Sequence, residues 1–216
     1  MRWFVSVLFF VFFSACSTKM PVNAWQYKSV SAFELYKSNF LQGNEVMARH
    51  ELKNAIRYAK QSADLDTLSK IYLSECALNK IVSQEKGCSA YLDVAKIEQN
   101  TQERVYYDFL QNNMDKKDIK KLPLRYRDFA EYFVKNDFKH AEQKALEIED
   151  DISKFIALSF IKEHLSNETR RAIIERASYH GYKKVVLFWL RELAEHTSDV
   201  KKREKILQKI ALLQKK

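Results

Sequence analysis

Apolar residues recur every three or four positions along most of this 216-residue chain. From Ala24 to Phe40, apolar side chains return at this spacing until Gly43 and Asn44 interrupt it. Such spacing gathers apolar side chains on one face of an α-helix, and glycine is typical of a helix end. The same alternation of periodic segments and polar breaks continues to Gln214. It predicts an all-α fold built from antiparallel helix pairs.

The clearest polar break lies near the middle of the chain. Residues 112–122 read NNMDKKDIKKL, and Pro123 follows them. Proline disfavours helical backbone in the residue before it and fits the first turn of a new helix. We therefore expect two helical halves, residues 24–122 and 123–216, the second ending in a basic capping helix.

The composition favours helices over strands. Only three glycines and two prolines occur in the whole chain. Strand-rich folds need tight turns that depend on these residues and on Asn-Gly pairs. The most frequent residues are instead good helix formers such as Lys, Glu, Leu, Ala and Gln.

The N-terminus has a different pattern from the rest of the chain. Arg2 precedes an apolar run from Trp3 to Phe13, and Ser14-Ala15-Cys16 follows. A short basic start, an apolar core and small residues before a cleavage site are typical of a secretory signal, which is too short to be a permanent membrane span. The alternatives are an ordinary signal peptide in which Cys16 is incidental and a buried apolar strand.

The Ser-Ala-Cys ending resembles the lipobox of bacterial lipoproteins, although Phe13 stands where that family usually has leucine. The resemblance implies a cleaved signal peptide (residues 1–15) and a palmitate-type lipid on Cys16, with no other cofactor. It also implies a tether (residues 16–23) that joins the lipid to the folded body. In enteric bacteria, an aspartate after this cysteine keeps a lipoprotein in the inner membrane. Ser17 occupies that place, so the resemblance favours the outer membrane and a periplasm-facing body.

The first two predicted helices resemble a tetratricopeptide unit. With Gly43 between the helices, four residues fall on small or apolar consensus positions of that family: Leu35, Ala48, Leu52 and Ala55. Tyr36 departs from the consensus, and no proline closes the unit near Lys60. Tyr132, Phe138 and Ala141 form a similar pattern later. Breaks recur roughly every 15–20 residues, so helix pairs recur about every 34–40 residues, which is the period of α-solenoids. The resemblance implies such a solenoid, and the alternative is an irregular helical domain without true repeats.

Two cysteines remain once Cys16 is assigned to a lipid. Cys76 and Cys88 are an even pair in an exported protein, where disulfides persist. They can bond if the chain turns near Ser83, and they cannot if the helix continues to Gly87. Two independent buried thiols are the other interpretation.

The formal net charge is +9, and basic residues concentrate in the last helix. The candidates for contact with an anionic surface are Lys201, Lys202, Arg203, Lys205 and Lys209. The polar outer face of a terminal cap is the preferred interpretation, because helical arrays need such an end. Contact with anionic lipid headgroups is the alternative. Nucleic acid is not expected as a partner, because an exported protein does not meet it.

The sequence contains no motif that indicates catalysis or metal binding. It has no glycine-rich phosphate loop, no Gly-x-Ser-x-Gly elbow and no His-x-x-x-His pair. We therefore predict no catalytic residue, no metal site and a non-enzymatic role as a scaffold or adaptor for an envelope protein complex. The alternative is an envelope enzyme that acts on the cell wall, or a regulator of one. A buried acid with a perturbed pKa in a groove would favour this alternative.

Overall fold

The computed structural model describes residues 23–63, 65–84 and 88–215. The regular structure of these residues is helical, which confirms the all-α prediction. The α-helices are α1 (Ala24–Gln42), α2 (Glu45–Ala59), α3 (Asp66–Lys80), α4 (Ser89–Ala95), α5 (Thr101–Leu110), α6 (Leu124–Phe133), α7 (Phe138–Leu146), α8 (Asp151–Phe160), α9 (Asn167–Tyr179), α10 (Lys183–Glu195) and α11 (Val200–Gln214). Two 3₁₀ segments cover Lys116–Lys121 and Lys162–His164.

The predicted signal peptide and Cys16 lie outside the described residues, as does the predicted tether up to residue 22. Their predictions therefore stay predictions. Within the described ranges, none of the helices has the length and apolar character needed to cross a membrane.

Five turns that follow a helix share one backbone conformation. Each contains a residue with positive φ: Gly43, Ser83, Asn112, Asn136 or Gly181. In every case the amide of the next residue donates to the carbonyl five residues before it, as Asn44 does to Asn39. This arrangement closes the helix end and reverses the chain into the next helical segment. It explains why glycine or asparagine occupies four of the five positions, since both tolerate left-handed backbone.

Small residues bring paired helices close together. Ala48 and Ala55 of α2 are fully buried in the pair with α1, and Ala141 and Ala145 are fully buried in the pair of α6 and α7. Leu35, in contrast, is 53% exposed. The alanines thus occupy buried positions, as the tetratricopeptide resemblance implies, whereas Leu35 does not.

One hydrophobic core runs through both predicted halves. The ring of Phe109 in α5 contacts the rings of Tyr126 and Phe129 in α6 and of Phe160 in α8. The chain therefore packs across the break at Pro123, and the two segments share buried surface.

The first helical pair also packs against α10. Nζ of Lys184 lies 2.6 Å from a carboxylate oxygen of Glu45 and 3.7 Å from the ring centroid of Phe40. In a linear array each repeat contacts only its neighbours. The contact between α1 and α10 brings distant parts of the chain together instead.

Cys76 and Cys88 form a disulfide, with Cα atoms 4.7 Å apart. Cys76 lies in α3, and Cys88 immediately precedes α4. Ser83 has φ 50°, so the chain turns where the sequence required a turn for this bond. Of the two interpretations that the sequence left open, the structure has the bonded pair.

Candidate functional site

Two adjoining cavities lie against α3 and share Ser74, Tyr106 and Pro123 in their walls. Their volumes are about 350 and about 380 Å³. The first reaches Glu103 and Arg127, whereas the second extends between α1 and α8. Together they form an elongated depression, which we call the central groove.

The central groove has an apolar floor. Leu73, Ala77 and Leu78 of α3 and Leu122 before α6 are buried and line the groove. The floor is apolar because α3 turns part of its core face toward the gap between α5 and α6. Leu122, in extended backbone, and Pro123 connect the 3₁₀ segment to α6 and border the groove.

Tyr106 forms the ridge between the two cavities. Its ring stacks on the ring of Tyr126 at a centroid distance of 5.8 Å. Tyr126 shares the wall of the second cavity with Ser153, whose Oγ accepts a hydrogen bond from Nη1 of Arg125 at 3.2 Å. Burial raises the pKa of Tyr106 and of Tyr126 above the usual value for tyrosine. Both hydroxyls therefore remain neutral and keep their hydrogen-bonding capacity.

Most cations at the rim have an acidic partner on the same chain. The ion pairs are Lys37 with Glu34, Lys70 with Asp66, Lys121 with Asp118, and Arg125 with Asp150. Arg127 differs because its Nε donates to the carbonyl of Leu122 at 2.8 Å, and it forms no ion pair with a described residue. The rest of its guanidinium is the cationic group at the groove that is left for an external anion.

Glu103 is the acid with a perturbed pKa in this groove. Burial raises the pKa of its carboxyl group, although a hydrogen bond from Ser69 opposes the shift. A perturbed acid in a groove is the feature expected of the enzyme alternative. One oxygen of this carboxyl group, Oε2, is bound by Ser69, and the other, Oε1, is buried and has no hydrogen-bond partner among the described residues.

The basic residues predicted in the last helix are exposed on α11 and do not line the central groove. Ile210 is the buried residue of this helix. The disulfide is closer to the groove, because Cys76 lies between the lining residues Ser74 and Ala77 in α3. Among the described residues, no cluster of His, Cys, Asp and Glu suits a metal ion.

The groove residues Ser74, Tyr106 and Arg127 were not predicted as functional. Tyr106 has the helical spacing of a core residue, and its position beside a cavity depends on the packing of three helices. The polar break before Pro123 was the available signal, since it marks the gap that the groove occupies.

Comparisons with protein-family models, with curated proteins and with solved structures find no match for this chain. The functional argument therefore depends on the geometry and charge of the described residues.

Proposed function

We propose that this protein is a lipid-anchored envelope lipoprotein whose helical body is a non-enzymatic adaptor, and that the central groove binds a segment of a partner protein. The observation that carries the proposal is the groove itself. It joins two cavities of about 350 and about 380 Å³ past a single aromatic ridge.

The lining suits a peptide segment better than a compact small molecule. An apolar floor with a polar rim is the usual organisation of a protein-binding surface. Tyrosine and arginine are enriched among the residues that contribute most to such binding. Tyr106 and Arg127 are the tyrosine and arginine that line the first cavity of the groove. The elongated shape gives an extended or helical segment room to lie along α3. An acidic or terminal carboxylate of that segment would pair with Arg127.

The anchor follows from the lipobox resemblance of the segment that ends at Cys16. Lipid on this cysteine would leave a tether of eight residues before α1, with a reach of about 25 Å. The groove would then face partners close to the membrane surface. Ser17 after the cysteine favours the outer membrane by the same resemblance.

The repeat architecture is a proposal as well. The five similar turns and the buried alanines support tetratricopeptide-like helix pairs. The contact between α1 and α10 makes the proposed array a closed one rather than an open superhelix. Superposition of the α1–α2 pair on the α6–α7 pair tests this, because true repeats will agree in crossing angle and in the placement of their alanines.

The anchor is tested with Cys16→Ala. We expect the wild-type protein to fractionate with the outer membrane and its N-terminal peptide to carry a lipid mass. The variant should lose both properties, since it lacks the thiol. If both proteins fractionate alike and carry no lipid, the anchor is wrong.

The groove is tested with a matched pair of tryptophan variants. Ser74→Trp places an indole at the junction of the two cavities, whereas Ser178→Trp places one on the exposed face of α9. Both variants should fold, as circular dichroism will show. From detergent-solubilised envelope, we expect the wild type and Ser178→Trp to recover the same stoichiometric partner and Ser74→Trp to lose it. Equal recovery by all three would exclude the groove as the binding site.

The enzyme alternative depends on Glu103. If its raised pKa served acid catalysis on the cell wall, Glu103→Gln would abolish the release of cell-wall fragments by the purified protein. The adaptor proposal expects no fragment release by the wild type and full partner recovery by Glu103→Gln.

A further inference from the structure

Most of the positive charges of α11 have no acidic partner among the residues that the structure describes. Within the described part of the chain, Lys202 forms an ion pair with Asp199, which caps the helix. The other cations of this segment form no ion pair with a described residue: Lys201, Arg203, Lys205, Lys209 and Lys215. Glu204 is the sole acid between Val200 and Gln214.

Three of these cations form a line along the helix. Lys201, Lys205 and Lys209 are exposed and follow one another at intervals of four residues, which is about 6 Å along the axis. Like charges at this spacing destabilise a helix. A polar cap that only shields the core does not need such a line, because uncharged or mixed residues would serve equally well. The arrangement is explained if an anionic surface neutralises it.

The exposed apolar residues of α11 lie next to these charges. Leu212 is 66% exposed and lies on the same face as Lys201 and Lys205, since helical periodicity returns to that face after seven and eleven residues. Leu207 is 47% exposed on the flank of the helix. Clustered lysines attract anionic headgroups, and an exposed leucine beside them provides apolar surface that a bilayer can bury.

A protein partner fits this surface less well. Lysine is depleted at the centres of protein interfaces, whereas tyrosine, tryptophan and arginine are enriched. The helix α11 contains no aromatic residue and a single arginine. Its lysines instead form a straight line about 12 Å long, which matches a planar array of anionic headgroups.

We propose that α11 binds the anionic headgroups of a lipid bilayer through Lys201, Lys205 and Lys209, with Leu212 inserted between the headgroups. This contact does not depend on a lipid at Cys16. It would give the body a second attachment to the bilayer and would fix the direction in which the central groove faces.

The test uses the chain from Ser17 onward, which contains the whole described core and lacks Cys16. Flotation with phosphatidylglycerol-containing vesicles and with pure phosphatidylcholine vesicles measures binding. A triple variant replaces Lys201, Lys205 and Lys209 by glutamine. The matched control replaces Lys53, Lys60 and Lys139, which are exposed elsewhere, so both variants have the same net charge.

We expect salt-sensitive binding to phosphatidylglycerol vesicles and none to phosphatidylcholine. The α11 triple variant should bind about tenfold more weakly or worse, whereas the control triple should remain within about twofold of the unmodified chain. Equal loss in both triples would mean that net charge alone attracts the protein, and would overturn the proposal. So would absence of binding to phosphatidylglycerol. If the two triple variants differ in their binding to poly-L-glutamate but not in their binding to vesicles, an acidic protein occupies this surface and the bilayer contact is wrong. Because Cys16 is absent, none of these outcomes tests the lipid anchor.

Discussion

Charges are arranged differently around the central groove and on α11. At the groove rim, Lys37, Lys70, Lys121 and Arg125 each have an acidic partner on the same chain. On α11, Lys202 is the one cation that forms an ion pair with a residue in the described ranges. The groove rim is therefore close to electrically balanced, with Arg127 as the exception, whereas α11 has a concentrated positive field.

The difference indicates two kinds of recognition. A balanced rim around an apolar floor contributes specificity, because few charges are left for an indiscriminate partner. A line of unpaired lysines attracts any dense anionic surface and depends strongly on salt. Under the two proposals, the same chain combines a selective groove with a less selective helix. The following predictions test this contrast, from the largest expected effect to the smallest.

The largest loss of stability is expected from Arg170→Ala, which removes a buried cation bound to backbone carbonyls, unlike the exposed cations of α11. Arg170 is 2% exposed, and it donates to the carbonyls of Leu165 and Lys162 at 2.6 and 2.7 Å. Its removal should lower the free energy of unfolding by about 3–5 kcal/mol, since two carbonyl groups each lose a hydrogen bond from a buried charged donor. Urea denaturation measures the loss. Arg171→Ala, next to it but exposed, should cost less than about 1 kcal/mol. Equal losses of stability in the two variants would contradict a structural role for the hydrogen bonds of the buried Arg170.

The turn behind the groove is tested by removing the disulfide. Cys76 and Cys88 are 12 residues apart, and a loop of this size contributes about 3 kcal/mol in the chain-entropy account. The double variant Cys76→Ser/Cys88→Ser should lose about this much stability. Reductant should destabilise the wild type and leave the double variant unchanged. If reductant has no effect on the wild type, α3 does not depend on the bond.

A smaller effect is expected for Glu103→Gln, because the side chain is only half-buried. Burial raises the pKa of Glu103 in the folded state, so the folded protein binds this proton more tightly than the unfolded chain. The resulting stability is present below the unfolded pKa and is lost as the pH rises through the folded pKa. Relative to the wild type, Glu103→Gln should therefore gain stability between about pH 4 and about pH 7.

Urea denaturation at both pH values tests this sign. The exposed Glu98→Gln is the matched control for the loss of one carboxylate. A relative stability of Glu103→Gln that falls as the pH rises would contradict the placement of this carboxyl group in a desolvating wall.

The smallest expected effect is on the stability of α11, when one lysine of the Lys201, Lys205 and Lys209 line is replaced by an acid. Lys205→Glu places an acid between Lys201 and Lys209, and should stabilise α11 by about 0.2–0.5 kcal/mol for each new pair. Hydrogen exchange of the α11 amides should slow accordingly, although vesicle binding should weaken. Lys139→Glu, outside α11, should change neither. Faster exchange in Lys205→Glu would show that the lysine line does not strain the helix.

The sequence predicted the helices well because their signals are local. The break at Gly43 and Asn44 coincides with the turn between α1 and α2. The cap of α5 is local as well, because the side chain of Asn100 accepts from the amides of Gln102 and Glu103. Such contacts join residues that are neighbours in the sequence.

The contacts that form the groove are not local. Glu103 lies three residues after the helix cap Asn100, yet its carboxylate accepts a hydrogen bond from Ser69, 34 residues away in the sequence. Lys184 pairs with Glu45, 139 residues away in the sequence. The spacing of apolar residues along the chain does not predict this contact between α10 and α2. Ser83 adopts positive φ, although glycine or asparagine is usual at such a position. The sequence therefore did not decide whether Cys76 and Cys88 are bonded.

The central claim is that a partner segment lies in the groove, and crosslinking in intact cells tests it most directly. A photoreactive amino acid at Gln102 would face the groove, whereas the same residue at Glu175 would face solvent on α9. We predict one adduct of defined mass from Gln102, absent from Glu175 and lost when Ser74→Trp fills the groove. The same adducts from both positions, or an adduct at Gln102 that survives Ser74→Trp, would contradict the groove as the binding site.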